Sequence, residues 1–271
     1  MNFKRSFGGI GIAALLSLLS SVASAQGVVG SPHDLQPQTT NTSETCVFCH
    51  TPHGSATSAA VPLWNKTLPN PATYTRYSSL NTSTLSGTEA PVGSVSLACL
   101  SCHDGSQAVD TVLNTPGRGM GANYPGGTRI DAANFATAMV GTPVPNLGTD
   151  LQDDHPVSIQ YGGGGLVAGD ADGTANPAAL GNQDFNPPEK ATINDNPAWW
   201  VDSEPTPNGT REKTDMILYT RTDNIAAGEP MVECGSCHDP HNSSTFIANQ
   251  SVNFLRIEND SSQICTTCHL K

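Results

Sequence analysis

Aromatic side chains make up only 6% of this 271-residue chain and charged side chains only 13%. A core built from so few large apolar groups would struggle to offset chain entropy by side-chain burial. Basic residues are also few. Twelve Lys and Arg stand against 24 Asp and Glu, for a net charge of −12. That balance excludes the basic footprint on which nucleic-acid binding rests. Beyond the first 25 residues no apolar run approaches the ~20 residues that a membrane span needs, so no membrane span is expected. Unpaired cysteine is lacking too: all eight cysteines fall in C-x-x-C pairs.

Glycine and proline are plentiful, at 26 and 20 residues. Taken alone, this composition describes disorder. The cysteines give it another meaning. Each pair is followed at once by histidine: Cys46-Val47-Phe48-Cys49-His50, Cys99-Leu100-Ser101-Cys102-His103, Cys234-Gly235-Ser236-Cys237-His238 and Cys265-Thr266-Thr267-Cys268-His269. C-x-x-C-H is the attachment pattern of c-type haem, in which both thiols add to porphyrin vinyl groups and the histidine ligates the iron. A disulfide framework does not require a histidine after every second cysteine. Structural zinc would not need the five-residue pattern four times over. Four large apolar macrocycles could stand in for the missing core. The expected fold is therefore mostly irregular coil with few short helices and strands, wrapped around a stack of four covalent haems, and the haem-free chain is expected to be largely unfolded.

The eight histidines sharpen this reading. His50, His103, His238 and His269 belong to the motifs, which leaves His33, His53, His155 and His241. Four irons need four second ligands, and four histidines remain. The count predicts four six-coordinate, bis-histidine haems of low potential. Methionine is the alternative ligand, with Met120, Met139, Met216 and Met231 as candidates, but the histidines suffice. With no vacant iron position, a nitrite, hydroxylamine or tetrathionate reductase is disfavoured, and the expectation is electron transfer without enzymatic turnover.

Residues 1–25 read as a secretory signal peptide. Lys4 and Arg5 precede an apolar stretch, and Ala23-Ser24-Ala25 is a cleavage site. Residues 26–271 then form one tetrahaem cytochrome domain. Loss of Lys4 and Arg5 leaves ten basic residues against 24 acidic ones, a mature charge of −14. The run Gly162-Gly163-Gly164-Gly165 lacks the phosphate-loop pattern and reads as a flexible turn. Gly169-Asp170-Ala171-Asp172-Gly173 faintly resembles a calcium loop without its closing Glu. Met216–Thr220 reads as a strand, Trp199 and Trp200 as packing aromatics, and Pro62-Leu63-Trp64-Asn65 as an apolar island for a porphyrin face.

His53 and His241 each lie three residues after a motif histidine. Two rings from one turn cannot flank one porphyrin, so each is expected to serve a haem other than its own. Proximity in sequence assigns His241 to the haem of Cys265 and Cys268. It leaves His155 for the second haem, His33 for the first and His53 for the third, at Cys234 and Cys237.

The doubled pattern C-x-x-C-H-x-P-H at 46–53 and 234–241, the Ser31-Pro32-His33-Asp34-Leu35 arm and Asp154-His155-Pro156-Val157-Ser158 carry a likeness. With the leader and four haem sites, the chain resembles the OmcE-type extracellular tetrahaem cytochromes of metal-reducing bacteria. The likeness covers most of the mature chain. It implies a polymerising cell-surface filament, a nanowire, in which haems stack continuously and a histidine of one subunit ligates a haem of the next. His53 is the first candidate for that bridging ligand and His33 the second. It also implies redox partner proteins or external metal oxides as acceptors. A soluble periplasmic tetrahaem shuttle and a subunit of a larger outer-membrane conduit remain as alternatives.

Overall fold

A computed structural model describes residues 27–116, 127–139, 145–221, 228–242 and 254–271. The expected leader and Met120 lie outside them.

α-Helix in this chain forms where the cysteines are. Three α-helices occur among the described residues: α1 (Ser94–His103), α2 (Cys234–Cys237) and α3 (Gln263–Cys268). The first motif forms a 3-10 turn, Thr45–Phe48. Side chains three apart face the same way only on a helical turn, so a C-x-x-C pair aimed at one group needs one. The backbone N–H of the following histidine closes the turn on the first cysteine's carbonyl: His50 to Cys46 at 2.8 Å, His238 to Cys234 at 3.1 Å and His269 to Cys265 at 2.9 Å.

The strands are β1 (Thr111–Val112), β2 (Thr128–Arg129), β3 (Ile159–Gln160), β4 (Gly173–Thr174), β5 (Glu189–Ile193), β6 (Asn196–Val201), β7 (Met216–Thr220) and β8 (Pro230–Val232). β1 and β2 pair antiparallel, and the other six form an antiparallel sheet in the order β3-β8-β7-β6-β5-β4. The fold thus has few helices and two antiparallel sheets. The strand expected at Met216–Thr220 is β7. The remaining five strands of its sheet were not anticipated. β5 opens on Glu189 and Lys190, both buried, which read in isolation as a solvent-facing segment. Lys190 is tolerated because its Nζ reaches Asp172 at 2.8 Å and lies 5.9 Å over the Trp199 ring. Between β5 and β6, Asn194 and Asp195 take φ of 50° and 62°. That two-residue left-handed turn matches the twist of a tight hairpin.

Register fixes the core. Trp199 pairs with Leu218 and Val201 with Met216, and residues two apart on a strand share a face. These four cluster with Tyr161, Leu166, Leu180 and Ile257. Trp199 and Trp200 are each 1% exposed, in keeping with their reading as packing residues. Met216 and Met231 are fully buried in strands, which makes them core residues. Two smaller clusters serve the amino-terminal part: Tyr74, Val92, Leu97, Leu100 and Leu151, then Val47, Phe48 and Phe135.

The glycine run is a turn, but a packed one. All four residues have positive φ, and a Cβ on Gly165 would stand 2.1 Å from the Ala179 carbonyl oxygen. Asp172 of the calcium-like stretch is already engaged, accepting from Lys190 Nζ, from the Thr192 N–H at 2.9 Å and from the Thr192 hydroxyl at 3.1 Å. No helix among the described residues is long and apolar enough to cross a membrane.

Candidate haem-attachment sites

The four helical turns stand next to one another in chain order. Cys49 lies near Cys102, Cys99 near Cys234, and Cys237 near Cys265 and Cys268, and Ser96 of α1 accepts the Cys234 N–H at 2.8 Å. None of the eight cysteines is in a disulfide. Burial pushes the thiols of Cys49 and Cys268 up to about 12 and that of Cys237 to about 11. These sulfurs are therefore neutral and apolar at neutral pH, unlike reactive thiolates. Cys237, Cys268 and Ile264 also pack against the Trp199 and Leu218 cluster, which makes this side of the third and fourth motifs apolar.

The histidines meet in twos, each time one from a motif and one from outside. The ring centroids of His33 and His103 are 6.1 Å apart, those of His50 and His241 6.1 Å, and those of His155 and His269 6.4 Å. A metal–imidazole bond is about 2.0 Å and the ring centroid lies about 1 Å behind the nitrogen, so imidazoles on opposite sides of one metal have centroids about 6 Å apart. All three separations have that spacing. The interplanar angle is 19° for His50 and His241, against 69° and 62° for the other two pairs. Among the described residues no three of His, Cys, Asp and Glu converge on a common point, as a metal ion held wholly by protein would require.

The ring orientations are fixed from behind. His50 Nδ1 lies 2.9 Å from the Pro62 carbonyl oxygen, His103 Nδ1 2.8 Å from that of Pro145 and His155 Nδ1 3.0 Å from that of Pro156. The Pro240 carbonyl lies beside the His33 ring. A metal-ligating imidazole characteristically gives its other nitrogen to such an acceptor, which sets tautomer and orientation and leaves Nε2 for the metal. Proline suits this task, since without an N–H it seldom joins a ladder. His241 uses Asp239, 3.6 Å away, instead. That ion pair raises the His241 value and, with the His241 backbone N–H donating to the same carboxylate at 2.9 Å, lowers Asp239 to about 2. Burial, with His103 close by, lowers His33 to about 4. Burial and the neighbouring His155 lower His269. The His33 and His269 rings are therefore neutral at neutral pH, the form in which an imidazole ligates a metal.

The expected partners are corrected at three places. His241 faces His50 of the first motif rather than His269. His155 faces His269 of the fourth motif rather than His103. His33 faces His103 of the second motif rather than His50. Tertiary packing decides each case. Asn186 and Phe185 bond to the fourth motif through the Cys268 carbonyl and a bridge at His269, and Tyr161 at the end of β3 also reaches Cys268. That brings the segment leading into β3, and His155 with it, to the fourth motif. The amino-terminal arm crosses residues 240–241: Gly27 lies so close to the His241 carbonyl that a Cβ would overlap it. His33 is thus carried towards the second and third motifs. His33, as second candidate for a bridge between subunits, already faces a motif histidine of its own chain. His53 is exposed and makes no ring contact among the described residues, and His238 is exposed as well. The expectation that the ligand after a motif serves a different site fits His241.

Several supporting residues escaped the sequence reading. Phe254 stacks on His33 at 4.2 Å and 12°, and Phe185 lies 4.4 Å from His269. The island at 62–65 is a strap over the first motif. Thr51 N–H donates to Leu63 O and Asn65 N–H to Cys49 O, at 2.9 and 2.8 Å. Trp64 stands 5.9 Å from His50 at 82°. Only the proline next to a candidate ligand, as at 156, was a usable signal; Pro62 and Pro145 are remote in sequence.

Comparison of the chain with protein-family models, with curated proteins and with solved structures finds no match.

Proposed function

We propose that this chain is a tetrahaem c-type cytochrome whose function is electron transfer. The observation that carries the reading is the meeting of three motif histidines with three outside histidines at the spacing of two ligands on one iron. Cys46 and Cys49, Cys99 and Cys102, Cys234 and Cys237, and Cys265 and Cys268 would hold the four haems through thioethers. His50 with His241, His103 with His33 and His269 with His155 would supply axial nitrogens, and His238 with His53 the fourth set. Each bound haem supplies one iron that accepts and donates a single electron without bond-making. The protein's part is to hold the imidazoles in fixed orientations, to keep the attachment turns adjacent and to leave no iron position for substrate. The last point argues against an enzyme.

The finer reading follows the resemblance: export by the leader, and polymerisation at the cell surface to deliver electrons to metal oxides or partner proteins. Exposed His53 is the candidate ligand for the His238 site of a neighbouring copy. The near-complete matching of histidines within one chain favours a second reading, a self-contained periplasmic shuttle.

Mass spectrometry of protein matured with the haem-attachment machinery tests the first claim. Four haems per chain and a wholly low-spin ferric spectrum are expected; fewer haems or a high-spin signal would overturn it. His241→Ala should convert one haem to high spin, the one whose axial planes are nearly parallel. Size exclusion and electron microscopy decide the second claim. Filaments that His53→Ala abolishes support the polymer, and a clean monomer supports the shuttle.

A further inference from the structure

Glu233 immediately precedes Cys234 and is 1% exposed. Its Oε2 accepts the Ser96 hydroxyl at 2.6 Å and the Ser158 hydroxyl at 3.0 Å, and its Oε1 faces Arg221 Nη1 at 3.4 Å. Ser96 lies on α1, three residues before Cys99, and its hydroxyl oxygen also accepts the Cys234 N–H at 2.8 Å. The Ser158 oxygen accepts the Gly93 N–H at 3.2 Å, at the start of α1. Ser236 completes the set by accepting the Glu233 N–H at 3.0 Å, as part of a capping box on α2. Gly93 is pressed against Arg221, where a Cβ would come within 2.3 Å of the guanidinium. Ser96 and Ser158 are fully buried and Arg221 is 6% exposed. A buried ion pair and its hydroxyls thus tie the second attachment turn to the third.

An ion pair is a costly way to join two turns, because apolar residues of similar volume commonly join them as well or better. The chain uses the apolar solution one step away: Cys237, Cys268 and Ile264 pack on the Trp199 and Leu218 cluster where the third motif meets the fourth. The charge is kept at the junction of the second and third motifs, where Ser96 of α1 meets Cys234 of α2.

We infer that Glu233 and Arg221 exert opposed and balanced electrostatic control over the reduction potentials of the centres at Cys99/Cys102 and Cys234/Cys237, and not over those of the other two. This rests on the tetrahaem reading. A ferric centre carries one more positive charge than a ferrous one. A fixed carboxylate therefore favours the oxidised form and a fixed guanidinium the reduced form, and both act strongly where water is excluded. Ser96 and Ser158 act as positioning residues, holding the carboxylate while the helical turns hold the centres.

The test is spectroelectrochemical titration of the haem-loaded mature protein, with each potential assigned to its motif by NMR of the haem methyl groups. It is run at mildly alkaline pH, so that the carboxyl, which burial pushes up to about 7, is ionised. Glu233→Gln should raise the second and third potentials, and Arg221→Gln should lower the same two. The first and fourth should stay in place in both variants, and the double variant should return the pair towards the starting values. A merely structural role would move both variants in the same direction, or all four centres together; either result overturns the inference, as does the absence of any shift. Should Glu233→Gln not fold, Arg221→Gln decides alone by the direction in which the two potentials move. Protein with four haems and unmoved potentials would sink this inference only. Protein with fewer than four haems would sink the tetrahaem reading and this inference with it.

Discussion

Residues 159–232 and residues 27–116 solve the problem of an aromatic-poor chain in different ways. The first stretch pairs strands, aligns Trp199, Val201, Met216 and Leu218 on one face, and closes a single cluster over them. The second has no strand pairing of comparable extent. It wraps short turns about two small clusters and relies on buried side-chain bonds such as those of Asn65, which donates to the Val47 and Asn114 carbonyls at 2.7 and 3.0 Å. The first carries its own core. The second is organised around the C-x-x-C-H turns at 46–50 and 99–103, so under the proposed function it would depend on the haems those turns hold. A chain this poor in aromatics thus builds one stretch on a paired sheet and the other on short turns and buried side-chain bonds.

The largest test of that contrast is removal of the attachment sites. With all eight cysteines changed to alanine, hydrogen exchange should show 27–116 unprotected while β5–β7 keep slow amides. Uniform loss across both stretches would break the contrast. Next in size, Trp199→Ala should cost about 3–5 kcal/mol in chemical denaturation. It should melt the sheet while leaving the spectrum of the first haem in place. Glu233 links the halves and gives a pH effect. Its value, about 7 when folded against an ordinary 4.5, means that the folded chain binds more protons than the unfolded chain between those limits. Stability is therefore highest below that window and falls as pH rises through it, by on the order of 3 kcal/mol. Glu233→Gln should flatten this slope in urea melts taken across the window. Smallest, Asn65→Ala leaves buried carbonyls without donors and should cost about 1–3 kcal/mol, felt as faster exchange around 46–51 with the sheet unaffected.

What could be read ahead of the structure was local. A C-x-x-C-H pattern needs one helical turn wherever it falls, so the four turns followed from the residues themselves. Met216–Thr220 carried enough β-branched and aromatic character to declare a strand. The sheet around it did not, because β5 opens on two charges whose burial depends on Asp172 and Trp199, contributed from elsewhere. The eight candidate ligands were also legible by count, whereas their partners were not. Which histidine faces which is settled by β3 pairing with β8, by Asn186 bonding to the Cys268 carbonyl and by the arm at 27–35 crossing 240–241. Those are long-range contacts that no spacing rule encodes. Sequence distance favoured neighbours, and packing chose otherwise in all three resolved pairs.

The pairing of His50 with His241 also bears on how the molecule is made. Synthesis delivers the chain from its amino end, and this contact cannot close until nearly the whole polypeptide has emerged. Long-range contacts of this kind form late and slowly. Until then the His50 ring stands without the ring that faces it in the finished fold. The late arrival of residue 241 thus leaves the first motif's histidine uncovered through most of synthesis.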